Sequence, residues 1–231
     1  IQIALNNLKQ NGIIQLESHG QNGTIATDID YLAMAQYCSN TNLTCVMPMP
    51  YGLRYEGLAS GLYEELNQKS VTGAIAFMRG SGYRLACVEE GRFHLCVMSH
   101  LAFEYYEQQG KDIQMVAAFG ARSYVEQHRI FVRPDFDGNW QGCKVGLDTS
   151  SVDQERLTRF CFADKPVQYV PIIYSQLVPF LHNGMIDAGV WSADMLPEGL
   201  SYYPMPCLDE QEKDTVAVLV CRKSDNVTAQ L

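Results

Sequence analysis

Residues 77–99, FMRGSGYRLACVEEGRFHLCVMS, can be laid without a gap over residues 170–192, VPIIYSQLVPFLHNGMIDAGVWS. Phe77 meets Val170, Leu85 meets Val178, Val88 meets Leu181 and Gly91 meets Gly184. Phe93 then meets Ile186, Val97 meets Val190 and Ser99 meets Ser192. Both stretches read as a strand, a polar turn, a helix, a glycine and a short apolar strand ending in serine. Upstream, strands around Val46 and Val145 each lead through a polar loop to a helix, expected over 55–68 and 152–162. Each half is thus a βαβαβ-type unit, and alternating apolar runs and helical stretches make the chain an α/β protein.

Working outward, the expected crossing between the halves lies near Ala121–Pro134, with a return through Val216–Val220. That divides residues 28–231 into lobe 1, about 43–120 plus the C-terminal return, and lobe 2, about 135–205. The resulting pattern, α/β and two-lobed with a hinge between lobes, resembles the type II periplasmic-binding-protein superfamily. More narrowly, residues 43–231 resemble the C-terminal domain of YhfZ-type transcriptional regulators. The residues that carry this are PMPYGLRYEGL (48–58), AFMRG (76–80), EGRFHLCVMS (90–99), GLD (146–148) and GMIDA (184–188). The resemblance implies the fold and a sensing role, and leaves the ligand open.

The first residues read differently. Ile3, Ala4, Leu5, Leu8 and Lys9 suggest the end of an amphipathic helix stopped at Asn11-Gly12. A hairpin follows, Ile13–Ser18 and Thr24–Ala26 around a turn at His19–Gly23. Leu8, Gly12, Ile13, Ile14, Gly20, Gly23, Thr24 and Ile25 resemble the last helix and wing of a GntR-like winged helix; the same residues also suit a plain N-terminal hairpin. On the first reading, residues 1–27 are a partial winged-helix remnant, and the absence of an initiator Met points to a fragment. Residues 28–40 form a linking helix with Asp28 as its N-cap.

The net charge is −9, so DNA contact is expected only through an N-terminal domain mostly absent from this chain. No apolar run approaches the roughly 18 residues of a membrane span. The eight cysteines show no C-x-x-C pair and no zinc spacing, and most sit in apolar runs. Free buried thiols in a cytoplasmic protein are expected, with no metal and no cofactor.

In open α/β sheets ligands gather beyond the carboxyl ends of strands, beside helix N-termini. Lobe 1 offers Tyr51 and Arg54, then Arg79, Gly80 and Ser81, then Ser99 and His100. Arg79 leads, because an arginine at a Gly-flanked turn can hold a carboxylate or phosphate by two parallel hydrogen bonds. Lobe 2 offers Thr149 and Ser150, Tyr174 and Ser175, Trp191 for stacking, and Asp194 for an amine or a helix cap. Ser151 and Gln154 have capping-box spacing. The expected function is the effector-sensing domain of a transcriptional regulator, a homodimer that binds a small polar, anionic effector between its lobes. An enzyme on the same scaffold is the alternative, although no G-x-S-x-G, H-E-x-x-H or P-loop is present and Cys96 with His100 is the only nucleophile pairing to consider. A solute-binding receptor is the third reading.

Overall fold

Two five-stranded sheets of matching design carry the chain. The computed structural model describes residues 1–37, 42–206, 211–225 and 228–229. At the N-terminus, α1 (Gln2–Gln10) leads to an antiparallel hairpin, β1 (Ile14–Ser18) and β2 (Thr24–Ile29). Helix α1 stops at Gly12, whose φ of +70° suits glycine. There the N–H of Ile13 donates to Leu8 O and that of Gly12 to Lys9 O, a Schellman closure. A short helix, α2 (Tyr31–Tyr37), then reaches the main body. Its cap is Asp30, whose Oδ1 accepts the Ala33 N–H at 2.9 Å. Asp28, the expected cap, instead lies within β2, opposite Gln15, and accepts from Gln15 Nε2. Residues 38–40 of the expected helix lie outside the described residues.

Lobe 1 contains β3 (Asn42–Met47), α3 (Leu53–Gln68), β4 (Thr72–Phe77), α4 (Ser81–Glu89), β5 (Leu95–Ser99), α5 (His100–Gln108) and β6 (Ile113–Ala118). The chain then crosses to lobe 2: β7 (His128–Val132), β8 (Lys144–Leu147), α6 (Val152–Cys161), β9 (Gln168–Pro171), α7 (Leu177–His182), β10 (Ala188–Ser192) and β11 (Ser201–Pro204). A second crossing carries α8 (Gln211–Thr215), and β12 (Ala217–Arg222) returns to lobe 1. The sheet orders are β4-β3-β5-β12-β6 and β9-β8-β10-β7-β11. In each, the first three strands are parallel and the fourth runs antiparallel to both neighbours. The gapless overlay of 77–99 on 170–192 places β5 on β10 residue for residue. It also places α4 on 174–182, where a 3₁₀ turn (Tyr174–Gln176) runs into α7.

The central strands are buried on both faces, which is why they read as continuous apolar runs. Cys45, Met47, Val97 and Leu219 face one side of the lobe 1 sheet, and Val46, Cys96, Met98, Val218 and Val220 the other. In lobe 2, Val145, Leu157, Phe162 and Val190 fill one face and Phe131, Ile172, Leu177 and Ile186 the other. Cys45, Cys87, Cys96, Cys143, Cys161 and Cys221 are free and buried; Cys38 and Cys207 lie outside the described residues. Helix α2 docks on lobe 1 through Leu32, and its Gln36 Nε2 donates to Lys69 O at 2.9 Å.

Candidate functional site

Matching sheets put matching strand ends opposite each other, so the loops after β3, β4 and β8 and the turn after β9 converge between the lobes. The crossing segments, 119–127 and the described part of the return, 211–216, form the hinge. Where these parts meet, a cavity of about 70 Å³ is lined from lobe 1 by Pro48, Met49, Tyr51, Tyr55, Arg79, Gly80, Ser81 and Arg84. Tyr124 and Val125 line it from the hinge, and His128, Asp148, Ser151, Asp153, Gln154 and Tyr174 from lobe 2. That volume suits a handful of waters or one small molecule.

The wall is built from locked groups. Arg84 is only 3% exposed. Its Nε donates to Val97 O at 3.0 Å, Nη1 to Met78 O at 2.9 Å and Nη2 to the Tyr124 hydroxyl at 3.3 Å. Tyr124 packs edge-on against Tyr55, and burial pushes its hydroxyl up to about 12, so it stays a donor. Asp148 Oδ1 accepts from the Ser150 N–H and hydroxyl, and its Oδ2 from the Tyr174 N–H at 2.8 Å. Ser151 caps α6 by accepting the Gln154 N–H. Gln154 does not complete the capping box: its amide donates to Gly146 O and accepts from the Asp148 N–H.

Two acidic groups stand out. Asp153 is 6% exposed, and its Oδ1 accepts the Ser99 hydroxyl at 2.5 Å across the lobes. Burial raises its carboxyl to about 6, against the Ser99 hydrogen bond that lowers it and with the charge of Asp214 adding to the rise. Asp214, in α8 on the returning segment, is hydrogen-bonded to Nδ1 of His128 at the start of β7, so this pair clasps the return to the first strand of lobe 2. Burial by itself would lower the His128 pKa; the hydrogen bond and charge of Asp214, with Asp153 and Asp194 adding theirs, leave it raised.

Of the residues singled out in the sequence, Tyr51, Arg79, Gly80, Ser81 and Tyr174 line the cavity. Arg79 is exposed, with no hydrogen bond or ion pair to any described residue. Gly80 is the N-cap of α4 and leaves the helix start without a side-chain cap. The others stand elsewhere. Arg54 and Asp194 pair with each other at 2.9 Å across the lobes. Arg54 also binds Glu126, and Asp194 accepts the Glu126 N–H at 2.8 Å. An amine has no place on Asp194, because both its oxygens are already occupied. Ser99 is fully buried, caps α5 and donates to Asp153. His100 sits outside the cavity, 3.5 Å from Glu104. Thr149 and Ser175 are exposed, and Ser150 packs beneath Gly80. Trp191 stacks on Tyr174 at 3.9 Å, behind the lining. Cys96 is buried with its thiol pushed up to about 12, so it keeps its proton and is no nucleophile beside His100.

The model of the YhfZ C-terminal domain family matches residues 30–231. The chain belongs to this family. It is 31% identical over its full length to the YhfZ protein of Escherichia coli (strain K12), of which it covers 76%. The crystal structure of YhfZ from Shigella flexneri superposes with a TM-score of 0.72 at 31% identity, over 87% of this chain and 86% of that one. The periplasmic aliphatic sulphonate binding protein SsuA from E. coli is similar at a TM-score of 0.57 and 12% identity, over 79% and 65%. The fold is therefore the two-lobed periplasmic-binding-protein type. No helix among the described residues is long and apolar enough to cross a membrane, and no group of three or more His, Cys, Asp or Glu among them could hold a metal ion.

Arg84, Tyr55, Tyr124, His128 and Asp153 join the site without having been singled out for it. For two of them the sequence held a signal. Ser81, Arg84, Leu85 and Val88 share the buried stripe of α4, and Asp153, Leu157 and Cys161 that of α6. A charged residue on an apolar stripe marks a buried, partnered group.

Proposed function

We propose that this domain is the effector-sensing part of a transcriptional regulator, and that a small polar molecule bearing an anionic group sits between its lobes. The observation that carries this reading is the cavity itself, lying between two lobes linked by crossing segments and faced by the guanidinium of Arg79, which has no partner among the described residues. A ligand touching both lobes binds the closed form better than the open one, which is the requirement for a switch. In this reading α1 and the β1–β2 hairpin close a winged helix, and α2 carries the change from lobe 1 to DNA-binding units held as a homodimer in the cytoplasm. The support is the docking of α2 through Leu32 and Gln36. The test is a thermal-shift screen of the chain against small carboxylates, amino acids and sugar phosphates, repeated with Arg79→Ala. Ligands held by Arg79 stabilise the parent by mass action and lose about tenfold or more in affinity in the variant. A screen with no stabilising compound overturns the reading.

An enzyme is the second reading, favoured by one observation. His128 lines the cavity and is held at Nδ1 by Asp214, the arrangement of an oriented base. Conversion of a bound compound, followed by NMR and abolished in His128→Gln, would establish it.

A further inference from the structure

The cavity is lined by two charged groups of opposite sign that form no ion pair with any described residue. Arg79 is exposed and unpartnered among the described residues, beside the uncapped start of α4. Asp153 is buried and also lines the cavity. Its Oδ1 takes the Ser99 hydroxyl; Oδ2 meets no donor among the described residues, and no cation forms an ion pair with it. Arg84, whose charge acts on Asp153, directs its N–H groups to two carbonyls and the Tyr124 hydroxyl. A carboxylate this deep is costly unless paired. Of the other charged groups lining the cavity, Arg84 and His128 act on Asp153 only through space, and His128 is paired with Asp214. Aromatic rings of Tyr51, Tyr55 and Tyr174 add faces that suit an organic cation.

We propose that the ligand is amphoteric, a small molecule with an anionic group for Arg79 and the α4 N-terminus and a protonated amine for Asp153. This rests on the cavity being a ligand site. It moves the amine-accepting role from Asp194, whose two oxygens are both occupied, to Asp153, whose Oδ2 meets no donor among the described residues.

The test is calorimetric titration of the whole chain with L-alanine and 2-aminoethylphosphonate, and with their halves propionate, ethylphosphonate and ethylamine. An amphoteric probe is expected to bind at least about tenfold more tightly than either of its halves. Asp153→Asn, which keeps an acceptor for Ser99, should remove most of that advantage and leave the affinity for the anionic half within about twofold. The comparison of whole probes with halves needs no variant, so it stands if Asp153→Asn misfolds. Equal binding of propionate and L-alanine, or of the two phosphonates, overturns the inference while leaving the cavity as an anion site. Binding of none of these probes, with sugar phosphates or other anions still stabilising the chain, overturns it in the same way. No stabilisation by any compound removes both this inference and the ligand-site reading.

Discussion

Asp153→Asn should make the domain more stable at pH 8 and change it little at pH 4. The carboxyl is raised from 3.8 to about 6 in the folded chain, with burial as the main cause. A group whose folded pKa lies above its unfolded one favours folding fully below pH 3.8, and that contribution is lost as pH rises through about 6. Above that point the folded state holds a buried carboxylate that the unfolded chain would leave in water. The difference is worth about 3 kcal/mol at full ionisation. Because Asp153 is 6% exposed, solvent screening takes little of it. Asparagine is nearly isosteric and can still accept from Ser99, so the gain at pH 8 should approach about 2–3 kcal/mol. For a chain of this size that is about 5–10 °C in Tm. At pH 4 the parent residue is neutral in the folded state, and the gain should fall below about 1 kcal/mol. Scanning calorimetry of both proteins at the two pH values is the assay. Equal gains at both values, or a loss at pH 8, would refute the reasoning, because Asp153 would then have a compensating partner.

Gly80→Ala forces a residue with a Cβ to a φ of +75° and puts that Cβ 2.9 Å from the carbonyl oxygen of Ser150 in the opposite lobe. Strain of about 1–2 kcal/mol and the clash should hold the lobes apart, seen as a larger radius of gyration in small-angle scattering; an unchanged value would show that the loop absorbs the methyl. Arg84→Met leaves the carbonyls of Met78 and Val97 without their buried donor and should cost about 3 kcal/mol in urea unfolding. The His128–Asp214 clasp has a folded His128 pKa raised above 6.5, so its contribution is whole below pH 6.5 and is lost as pH climbs through the raised value. Asp214→Asn should therefore destabilise the chain more at pH 6 than at pH 9, measured by chemical denaturation at each.

The architecture was legible because both sheets use the same strand–helix–strand phrase. Leu95–Ser99 and Ala188–Ser192 fall in register without a gap, since β5 and β10 hold the same place in their sheets. The linker helix was read in the right place with the wrong cap: Asp28 and Asp30 have the same chemistry, and only the end of the hairpin ladder at Ile29 decides between them. The site was legible where one loop makes it, as at Arg79–Ser81. It was hidden where distant segments make it. Nothing near His128 in the chain announces Asp214, and nothing near Arg54 announces Asp194, because closure of the lobes brings them together. Asp153 resembles any acidic residue in the first turn of a helix, and its burial depends on Ser99 arriving from the other lobe.

The placement of β12 has a consequence for how the chain is made. Strand β6 pairs with β12 alone, and β5 has β12 on one of its two edges. Lobe 2, by contrast, completes its sheet from the continuous stretch β7 to β11. On the ribosome the second lobe can therefore close first, while the first stays open along two strand edges until residues 217–222 emerge. Through that interval the unpaired edges of β5 and β6 are exposed to other chains. A stop codon just before β12 would remove only 15 of the 231 residues, yet leave the earliest-made lobe without its fourth strand.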